Sequence, residues 1–211
     1  MLIDIVSDAV CPWCYVGKRR LEAALATRPD LAVEIAWHAY QLNPGMPEEG
    51  MDRESYLASK FGSSARAASI YDDIERAGAG VGISFAFDSI RRTPNTINAH
   101  RLILLAGKHD VQDAVVERLF QRYFLEGGDI GDIEQLVAIA AAAGIDETVA
   151  QDYLDSDEGA EEVANEDRQM RRIGVTGVPC FIIDKRYAVS GAQAPEVFQR
   201  IFDTAIAEAA G

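Results

Sequence analysis

Residues 2–27 read LIDIVSDAVCPWCYVGKRRLEAALAT, and this stretch decides the fold. The apolar run at residues 2–6 is typical of a short β-strand, and a turn is expected at residues 7–8. A helix is predicted to follow over about residues 12–27. Pro12 suits its first turn, because the missing N–H would have no partner there. The C-x-x-C motif therefore opens a helix directly after a strand, an arrangement typical of thiol–disulfide chemistry.

The two cysteines of the motif are predicted to have different roles. Cys11 and Cys14 are three residues apart, so on a helical turn their sulfur atoms lie on one side. Cys11 is expected at the helix start, where free N–H groups and the helix dipole favour a thiolate, which makes it the predicted nucleophile. Cys14 is expected to be less exposed and to act as the resolving thiol. Pro12 and Trp13 are predicted to tune the pair, and Trp13 adds apolar surface beside the nucleophile.

Two other interpretations of the pair are a structural zinc site and a purely structural disulfide. Half of a structural zinc site would need two more ligands, and none of the remaining candidates has a second paired spacing. Those candidates are Cys180, His38, His100 and His109. A purely structural disulfide would close a loop too short to constrain the unfolded chain much, and such bonds are rare in the cytosol. The redox interpretation is preferred, and no metal or other cofactor is expected.

Composition limits the class of protein. The chain has 211 residues, enough for one domain, or one domain with an insertion, around a sizeable core. It contains no apolar run long enough to span a bilayer and no N-terminal signal-peptide pattern, so a cytoplasmic location is expected. The 34 acidic residues outnumber the 20 basic ones and give a net charge of −14. This balance argues against nucleic acid and anionic membranes as partners.

The hydrophobic periodicity of the rest of the chain changes twice, from that of strands to that of helices and back. A second strand is predicted over residues 32–42, with His38 on its polar face as a hydrogen-bonded structural residue. Residues 43–47 form a loop, and 81–87 are extended or a loop. The central pattern is helical, with helices predicted over residues 54–61, 64–77, 94–105, 110–126, 132–144, 146–154 and 158–172. Strands at 180–183 and 187–190, joined by a tight turn, precede a last helix at 194–210.

This order of elements predicts the fold class. The chain reads βαβ, then a helical block, then ββα, which is an α/β thioredoxin fold with a large all-helical insertion between its two halves. We assign residues 1–46 to the N-terminal half, 47–172 to the inserted helical domain and 173–211 to the C-terminal half.

Three segments carry a resemblance to a known family: SDAVCPWCYVGK at residues 7–18, PNTINAHRLILLA at 94–106 and GVTGVPCFIIDKRYAVSGAQ at 174–193. With them the chain resembles the DsbA-like branch of the thioredoxin superfamily, in particular its cytoplasmic FrnE-type oxidoreductases. The resemblance implies that Pro179 is a cis-proline facing the C-x-x-C pair. It also implies that the backbone of Val178 pairs with the substrate beside the nucleophile.

The resemblance also raises two questions about other residues. The residue after the proline is Cys180, where relatives often have an aromatic residue; we expect a buried thiol, and the alternative is an off-pathway disulfide with the pair. Related glutathione-using isomerases and kappa-class transferases line a cleft with polar residues. In this chain the candidates for lining such a cleft opposite Cys11 are Asn95, Thr96, Asn98 and His100. The alternative is that these residues form a helix cap and the exposed face of that helix.

The expected activity is thiol–disulfide exchange on protein or small-molecule disulfides, with partners that include small thiols such as glutathione. Two rival functions stay open. One is a glutathione-dependent isomerase or transferase of the kappa-class or 2-hydroxychromene-2-carboxylate isomerase type. The other is a non-enzymatic binding module that uses the apolar surface around Trp13.

Overall fold

A computed structural model describes residues 1–62 and 64–209. The strands are β1 (Leu2–Ser7), β2 (Glu34–Ala39), β3 (Met51–Asp52), β4 (Arg92–Thr93), β5 (Cys180–Ile183) and β6 (Tyr187–Ser190). The helices are α1 (Pro12–Ala26), α2 (Arg53–Phe61), α3 (Ser64–Ala79), α4 (Ile97–Gly107), α5 (Gln112–Phe124), α6 (Ile133–Ala142), α7 (Glu147–Asp155), α8 (Ala160–Arg172) and α9 (Pro195–Ala209). The predicted end of the last helix at residue 210 lies outside the described residues, as does residue 211.

A four-stranded sheet with the order β2-β1-β5-β6 forms the centre of the molecule. β1 and β2 are parallel and joined by the α1 crossover, whereas β5 is antiparallel to both β1 and β6. The turn between β5 and β6 contains Asp184 and Lys185 with positive φ values of 50° and 57°, the backbone conformation of a tight hairpin turn. The predicted α/β thioredoxin fold with its helical insertion is confirmed.

The two faces of the sheet are covered by different elements. Because side chains alternate along a strand, Ile5 and Phe181 point to one face and belong to the main core with α1 and α9. Val6 and Cys180 point to the other face and belong to a second cluster that includes Met170 of α8. The sheet therefore separates Cys180 from the core that contains the C-x-x-C helix.

The inserted helices pack directly onto the helix that follows the C-x-x-C motif. Tyr15 of α1 stacks on Phe120 of α5 with ring centroids 5.0 Å apart, and its hydroxyl donates to Glu117 Oε1 at 3.0 Å. Lys18, only 4% exposed, lies 3.1 Å from Asp113 Oδ2 and 3.2 Å from Glu117 Oε2. An apolar stack and the ion pairs of one buried lysine thus fix the insertion against α1.

The helix starts differ from their predicted positions for backbone reasons. Asp110 and Gly159 have positive φ values of 59° and 80°, so the helices predicted to begin at 110 and 158 begin at Gln112 and Ala160. The helix predicted to begin at residue 94 begins at Ile97. Asp132, where the helix over residues 132–144 was predicted to begin, is the N-cap of α6, because its carboxylate accepts the Glu134 N–H at 2.9 Å.

Two further features of the fold were uncertain or missed. The stretch at 81–87 contains no strand, and its last residue begins a single 3₁₀ turn at Phe87–Ser89. β3 and β4 form a small antiparallel pair, Met51 opposite Thr93 and Asp52 opposite Arg92. Strands of two residues are too short to produce a periodic pattern, so this pair was not predicted. Every helix in the described ranges is too short or too polar to cross a membrane.

Candidate redox site

Cys11 occupies the position directly before α1, as predicted. Its φ of −95° and ψ of 109° are extended, and Pro12 is the first helical residue. The Cys11 N–H donates to Asp8 O at 2.9 Å, and the Cys14 N–H donates to Cys11 O at 3.0 Å. Cys11 is 5% exposed and Cys14 is 1% exposed. The prediction that Cys14 is the less exposed thiol is confirmed.

The environment of Cys14 favours the protonated thiol. Burial raises the pKa of Cys14 well above its usual value, and the hydrogen bond and charge interaction with Cys11 raise it further. The Ser7 hydroxyl and the Asp8 backbone act in the opposite direction, with smaller effect. Both cysteines are free. Cys14 is therefore a buried, neutral thiol in hydrogen-bonding contact with Cys11.

The loop before β5 faces Cys11. The Val178–Pro179 peptide bond is cis, as the resemblance implied, and Cys11 Sγ lies 3.6 Å from Val178 O. Gly17 of α1 allows this approach, since a Cβ there would lie 3.0 Å from both Pro179 Cγ and Phe181 Cζ. Pro179 O also accepts the Gly191 N–H at 2.8 Å, which ties the loop to the residue after β6.

A cleft of about 280 Å³ opens beside Cys11. Trp13 and Val178 lie on the same wall as the cysteine, and Trp13 is half-buried, so it presents apolar surface there as predicted. The opposite wall comes from α2 and α3. It contains Arg53, Tyr56, Lys60, Phe61, Ile70, Tyr71 and Ile74. The thioredoxin halves and the helical insertion therefore build the cleft together.

The wall from α2 was missed by sequence reasoning. Arg53, Tyr56 and Lys60 follow the spacing i, i+3, i+7, which places them on one face of a helix. That spacing was visible, but nothing local to it says that this face meets Cys11. The Arg53 guanidinium donates to Tyr71 Oη and, at 3.1 Å, to Thr93 Oγ1.

The polar residues proposed for a pocket opposite Cys11 lie elsewhere. None of the four lines the cleft described above; Asn95 and Asn98 instead line a separate cavity of about 410 Å³. Asn95 Oδ1 accepts the Ile97 N–H at 3.0 Å, so the helix-start interpretation fits this residue. Thr96 is the N-cap residue of α4, so the helix-start interpretation fits it as well, whereas His100 is buried and the exposed-face interpretation is wrong for it. These four residues do not line the cleft beside Cys11, because Asn95 and Asn98 border the other cavity and Thr96 and His100 are buried.

His100 instead pairs with a residue of the loop before the motif. Its Nε2 lies 3.4 Å from Asp8 Oδ1, and both side chains are almost fully buried. Asp8 Oδ2 also accepts the Leu42 N–H at 2.8 Å. The pair joins α4 to the backbone that positions Cys11.

The other candidate ligands and thiols lie apart from the C-x-x-C pair. Cys180 is 7% exposed, and burial raises the pKa of its thiol, which agrees with the predicted buried thiol. His38 Nδ1 lies 2.9 Å from Glu166 Oε1 and its Nε2 2.9 Å from Asp4 Oδ1, as expected of a hydrogen-bonded structural residue. Within residues 1–62 and 64–209, no three His, Cys, Asp or Glu side chains are grouped to hold a metal ion.

The sheet, the C-x-x-C helix and the facing cis-proline define a thioredoxin-like protein. The family model described as a DSBA-like thioredoxin domain matches residues 2–203, and the chain belongs to this family. A probable DsbA oxidoreductase from Streptomyces coelicolor is 33% identical, with a TM-score of 0.89, covering 99% of this chain and 91% of that one.

Two other proteins are similar to this chain. The uncharacterized protein YwbO of Bacillus subtilis strain 168 is 28% identical over 204 residues, 94% of each chain. The cytosolic disulfide reductase DsbM of Pseudomonas aeruginosa shares the fold, with a TM-score of 0.68 at 20% identity, covering 98% of this chain and 99% of that one.

Proposed function

We propose that this chain is a FrnE-type thiol–disulfide oxidoreductase with Cys11 as its nucleophile and Cys14 as its resolving thiol. One observation carries the proposal: Cys11 borders an open cleft, while Cys14 is buried behind it and hydrogen-bonded to it. A substrate sulfur in the cleft therefore reaches Cys11 first. The position of Cys11 at the start of α1 favours negative charge on its sulfur.

The reaction proceeds in two exchange steps. The Cys11 thiolate attacks one sulfur of a substrate disulfide, forming a mixed disulfide and releasing the first substrate thiolate, which takes up a proton from water. The Cys14 thiol then loses its proton and attacks Cys11 Sγ, forming the Cys11–Cys14 disulfide and releasing the second substrate thiolate. Two electrons pass from the protein dithiol to the substrate. The reverse sequence oxidises a substrate dithiol.

Burial of Cys14 suits the resolving role. Burial, and after it the hydrogen bond and charge interaction with Cys11, raises the pKa of Cys14 and keeps it a neutral thiol until the first exchange step. Once Cys11 enters a mixed disulfide, its charge is removed. Deprotonation of Cys14 then becomes easier, and the second step follows the first.

The surrounding residues supply the remaining roles in the proposal. The Val178 carbonyl faces Cys11 at 3.6 Å and is available to pair with a substrate backbone N–H. Pro179 holds that loop against α1, and Pro12 and Trp13 tune the pair. We further propose that the substrates are protein or small-thiol disulfides met in the cytoplasm, that neither nucleic acid nor membrane is a partner, and that no cofactor is required.

The test is turnover of a disulfide substrate by single-cysteine variants. We expect the wild-type protein to accelerate reduction of insulin by dithiothreitol, and Cys11→Ser to reduce the rate to that of the reagent alone. Cys14→Ser, incubated with insulin in the absence of dithiothreitol, should accumulate a mixed disulfide on Cys11, measured as a mass increase that a reducing agent removes. Cys180→Ser is the matched control and should keep the wild-type rate.

Two outcomes would contradict the proposal. Full activity of Cys11→Ser would show that another group is the nucleophile. If the Cys11→Ser, Cys14→Ser double variant kept its ability to suppress insulin aggregation while the wild type showed no reductase activity, the apolar surface at Trp13 would instead define a binding module.

A further inference from the structure

The cleft beside Cys11 differs in charge from the rest of the protein. Its lining contains two basic residues, Arg53 and Lys60, and no carboxylate. The chain as a whole has 34 acidic and 20 basic residues. The lining of this cleft therefore places two cations and no carboxylate next to the nucleophile, whereas the carboxylates near Arg53, such as Asp72 and Glu75, border a separate cavity.

Neither cation is neutralised by a carboxylate. Among the residues the structure describes, no Asp or Glu oxygen lies within 4.0 Å of the charged nitrogens of Arg53 or Lys60. Their hydrogen-bond partners are neutral hydroxyl groups: Tyr71, Thr93 and Tyr123 for Arg53, and Tyr56 for Lys60. Both positive charges are therefore available to an anionic group that enters the cleft.

The rings of the same tyrosines also contact these cations. The Arg53 guanidinium lies 5.4 Å from the centre of the Tyr71 ring, and the Lys60 ammonium lies 5.1 Å from that of Tyr56. Such contacts restrict both side chains without removing their charge. A guanidinium held in this way can bind a carboxylate through two parallel N–H donors, which gives direction as well as attraction.

The size of the cleft restricts what it can hold. A volume of about 280 Å³ lies just below the range for small-molecule sites, about 300–1,000 Å³, so only a small molecule or part of one fits. Apolar surface from Trp13 and Phe61 borders the same space as the two cations. A small molecule with a sulfur toward Cys11 and a carboxylate toward α2 matches this arrangement of groups.

We infer that Arg53 and Lys60 select small disulfides that carry carboxylates as the substrates of Cys11. This inference rests on the proposed function and names its substrate class. The carboxylate pairs with the α2 cations while Cys11 attacks the nearer sulfur, releasing a carboxylate-bearing thiolate. Arg53 and Lys60 act here on substrate binding, and the exchange chemistry belongs to the two cysteines.

The experiment compares two aromatic disulfides of opposite electrostatic character. The probes are 5,5′-dithiobis(2-nitrobenzoate), which has a carboxylate on each ring, and 4,4′-dithiodipyridine, which is neutral at pH 7. Each reacts with Cys11 in the Cys14→Ser, Cys180→Ser background, where Cys11 is the remaining thiol. The second-order rate constant is read from the absorbance of the released thiol at low and high salt.

The charge variants are made in that background. Arg53→Gln with Lys60→Gln removes both cleft cations, and Arg172→Gln with Arg200→Gln removes two exposed cations outside the cleft. Both pairs change the net charge equally. We expect the cleft pair to slow the anionic probe about five- to tenfold relative to the control pair, and the neutral probe less than twofold. High salt should slow the anionic probe selectively in the parent protein.

Two further variants distinguish loss of charge from loss of folding, because Arg53 also contacts Tyr71 and Thr93. Lys60→Glu changes an exposed side chain and should slow the anionic probe alone. Arg53→Lys, which keeps the charge, should recover part of the lost rate.

The outcomes separate this inference from the proposed function. Equal slowing of both probes would mean that the cations act on Cys11 itself, and no change with either probe would mean that they do not select substrate; each overturns the inference and leaves the redox function standing. If Cys11 reacted with the neutral probe no faster than the same thiol in the unfolded chain, the proposed function would fail first. A charge effect seen with acidic peptide disulfides but absent for the small anionic probe would also overturn the inference.

Discussion

Cys11 Sγ lies 3.6 Å from the carbonyl oxygen of Val178, although 167 residues separate the two in the chain. Cys11 belongs to the βαβ half of the thioredoxin fold and the carbonyl to the ββα half. Their approach requires that β5 pair with β1 in the observed register, with Cys180 opposite Val6. The site is thus complete only when both halves of the sheet have assembled around the insertion.

The different environments of the cysteines predict selective alkylation. In the reduced native protein at pH 7, iodoacetamide should modify Cys11, because its position at the start of α1 favours the reactive thiolate. It should leave Cys14 and Cys180 unmodified, because burial raises the pKa of both thiols. Peptide mass spectrometry measures the result. The same treatment in concentrated urea should modify all three, and equal labelling of Cys14 in the native protein would contradict the predicted environment.

Packing at Gly17 predicts a cost for adding a methyl group. Gly17→Ala should destabilise the protein by about 1–3 kcal/mol, because the new Cβ would press on Pro179 and the fully buried Phe181. It should also slow the reaction of Cys11, since the Val178 carbonyl moves with the loop. Urea unfolding and the thiol-exchange rate measure the two effects.

The matched control for this packing prediction is Gly107→Ala on α4. A Cβ there would meet only the Gln112 side chain, at 3.4 Å, so stability should be unchanged or slightly higher. Equal stability of the Gly17 and Gly107 variants would show that the contact with Pro179 relaxes without cost.

The position of Cys180 on the far face of the sheet predicts that it takes no part in exchange. Cys180→Ala should keep the wild-type rate and cost about 1 kcal/mol of stability, because a small buried side chain is shortened. Mass measurement under non-reducing conditions after mild oxidation should show only the Cys11–Cys14 disulfide. A disulfide from Cys180 to either would contradict the assignment.

His38 predicts a pH-dependent contribution to stability. Burial opposes its protonation, but hydrogen bonds to Glu166 and Asp4 outweigh that effect and raise its pKa above the ordinary 6.5. A raised folded-state pKa stabilises the fold fully below the unfolded value, and this contribution is lost as the pH rises through the folded value. His38→Gln should therefore cost about 1.5–3 kcal/mol at pH 6 and less at pH 9.

Urea unfolding of the wild type and the variant across this pH range checks the sign of the His38 effect. His109→Gln, at an exposed position, is the control and should show no such dependence. A His38→Gln penalty that grew towards pH 9 would mean that the neutral imidazole is the stabilising form.

The parts of the fold that local chemistry determines were predictable. The C-x-x-C pair, the strand before it and Pro12 at the helix start form one short segment, so their arrangement follows from the order of residues. The long amphipathic helices are predictable because apolar residues recur at helical spacing, as on α5. Their exact starts were not, because positive φ at Asp110 and Gly159 depends on the packing of the loops.

The opposite wall of the cleft was beyond the reach of sequence reasoning. Arg53 is one of 20 Lys and Arg residues in the sequence. It comes close to Cys11 because α2 packs against β4, where Arg53 donates to Thr93. The prediction that Asn98 lines a cleft opposite Cys11 is wrong for the same reason, since long-range contacts set the orientation of α4. In both cases the information lies in how helices pack, and one sequence contains that only implicitly.

The two walls of the cleft come from different stretches of chain. The thiols sit at a strand–helix junction braced by the sheet, whereas the cations sit on α2, attached through side-chain contacts to Tyr71 and Thr93. A replacement on α2 can therefore alter the charge that an incoming molecule meets without disturbing the junction that sets the reactivity of the sulfurs. Substrate preference can therefore change in evolution without a change in the thiol chemistry. For protein engineering, the residues of α2 that face the cleft are the positions to replace.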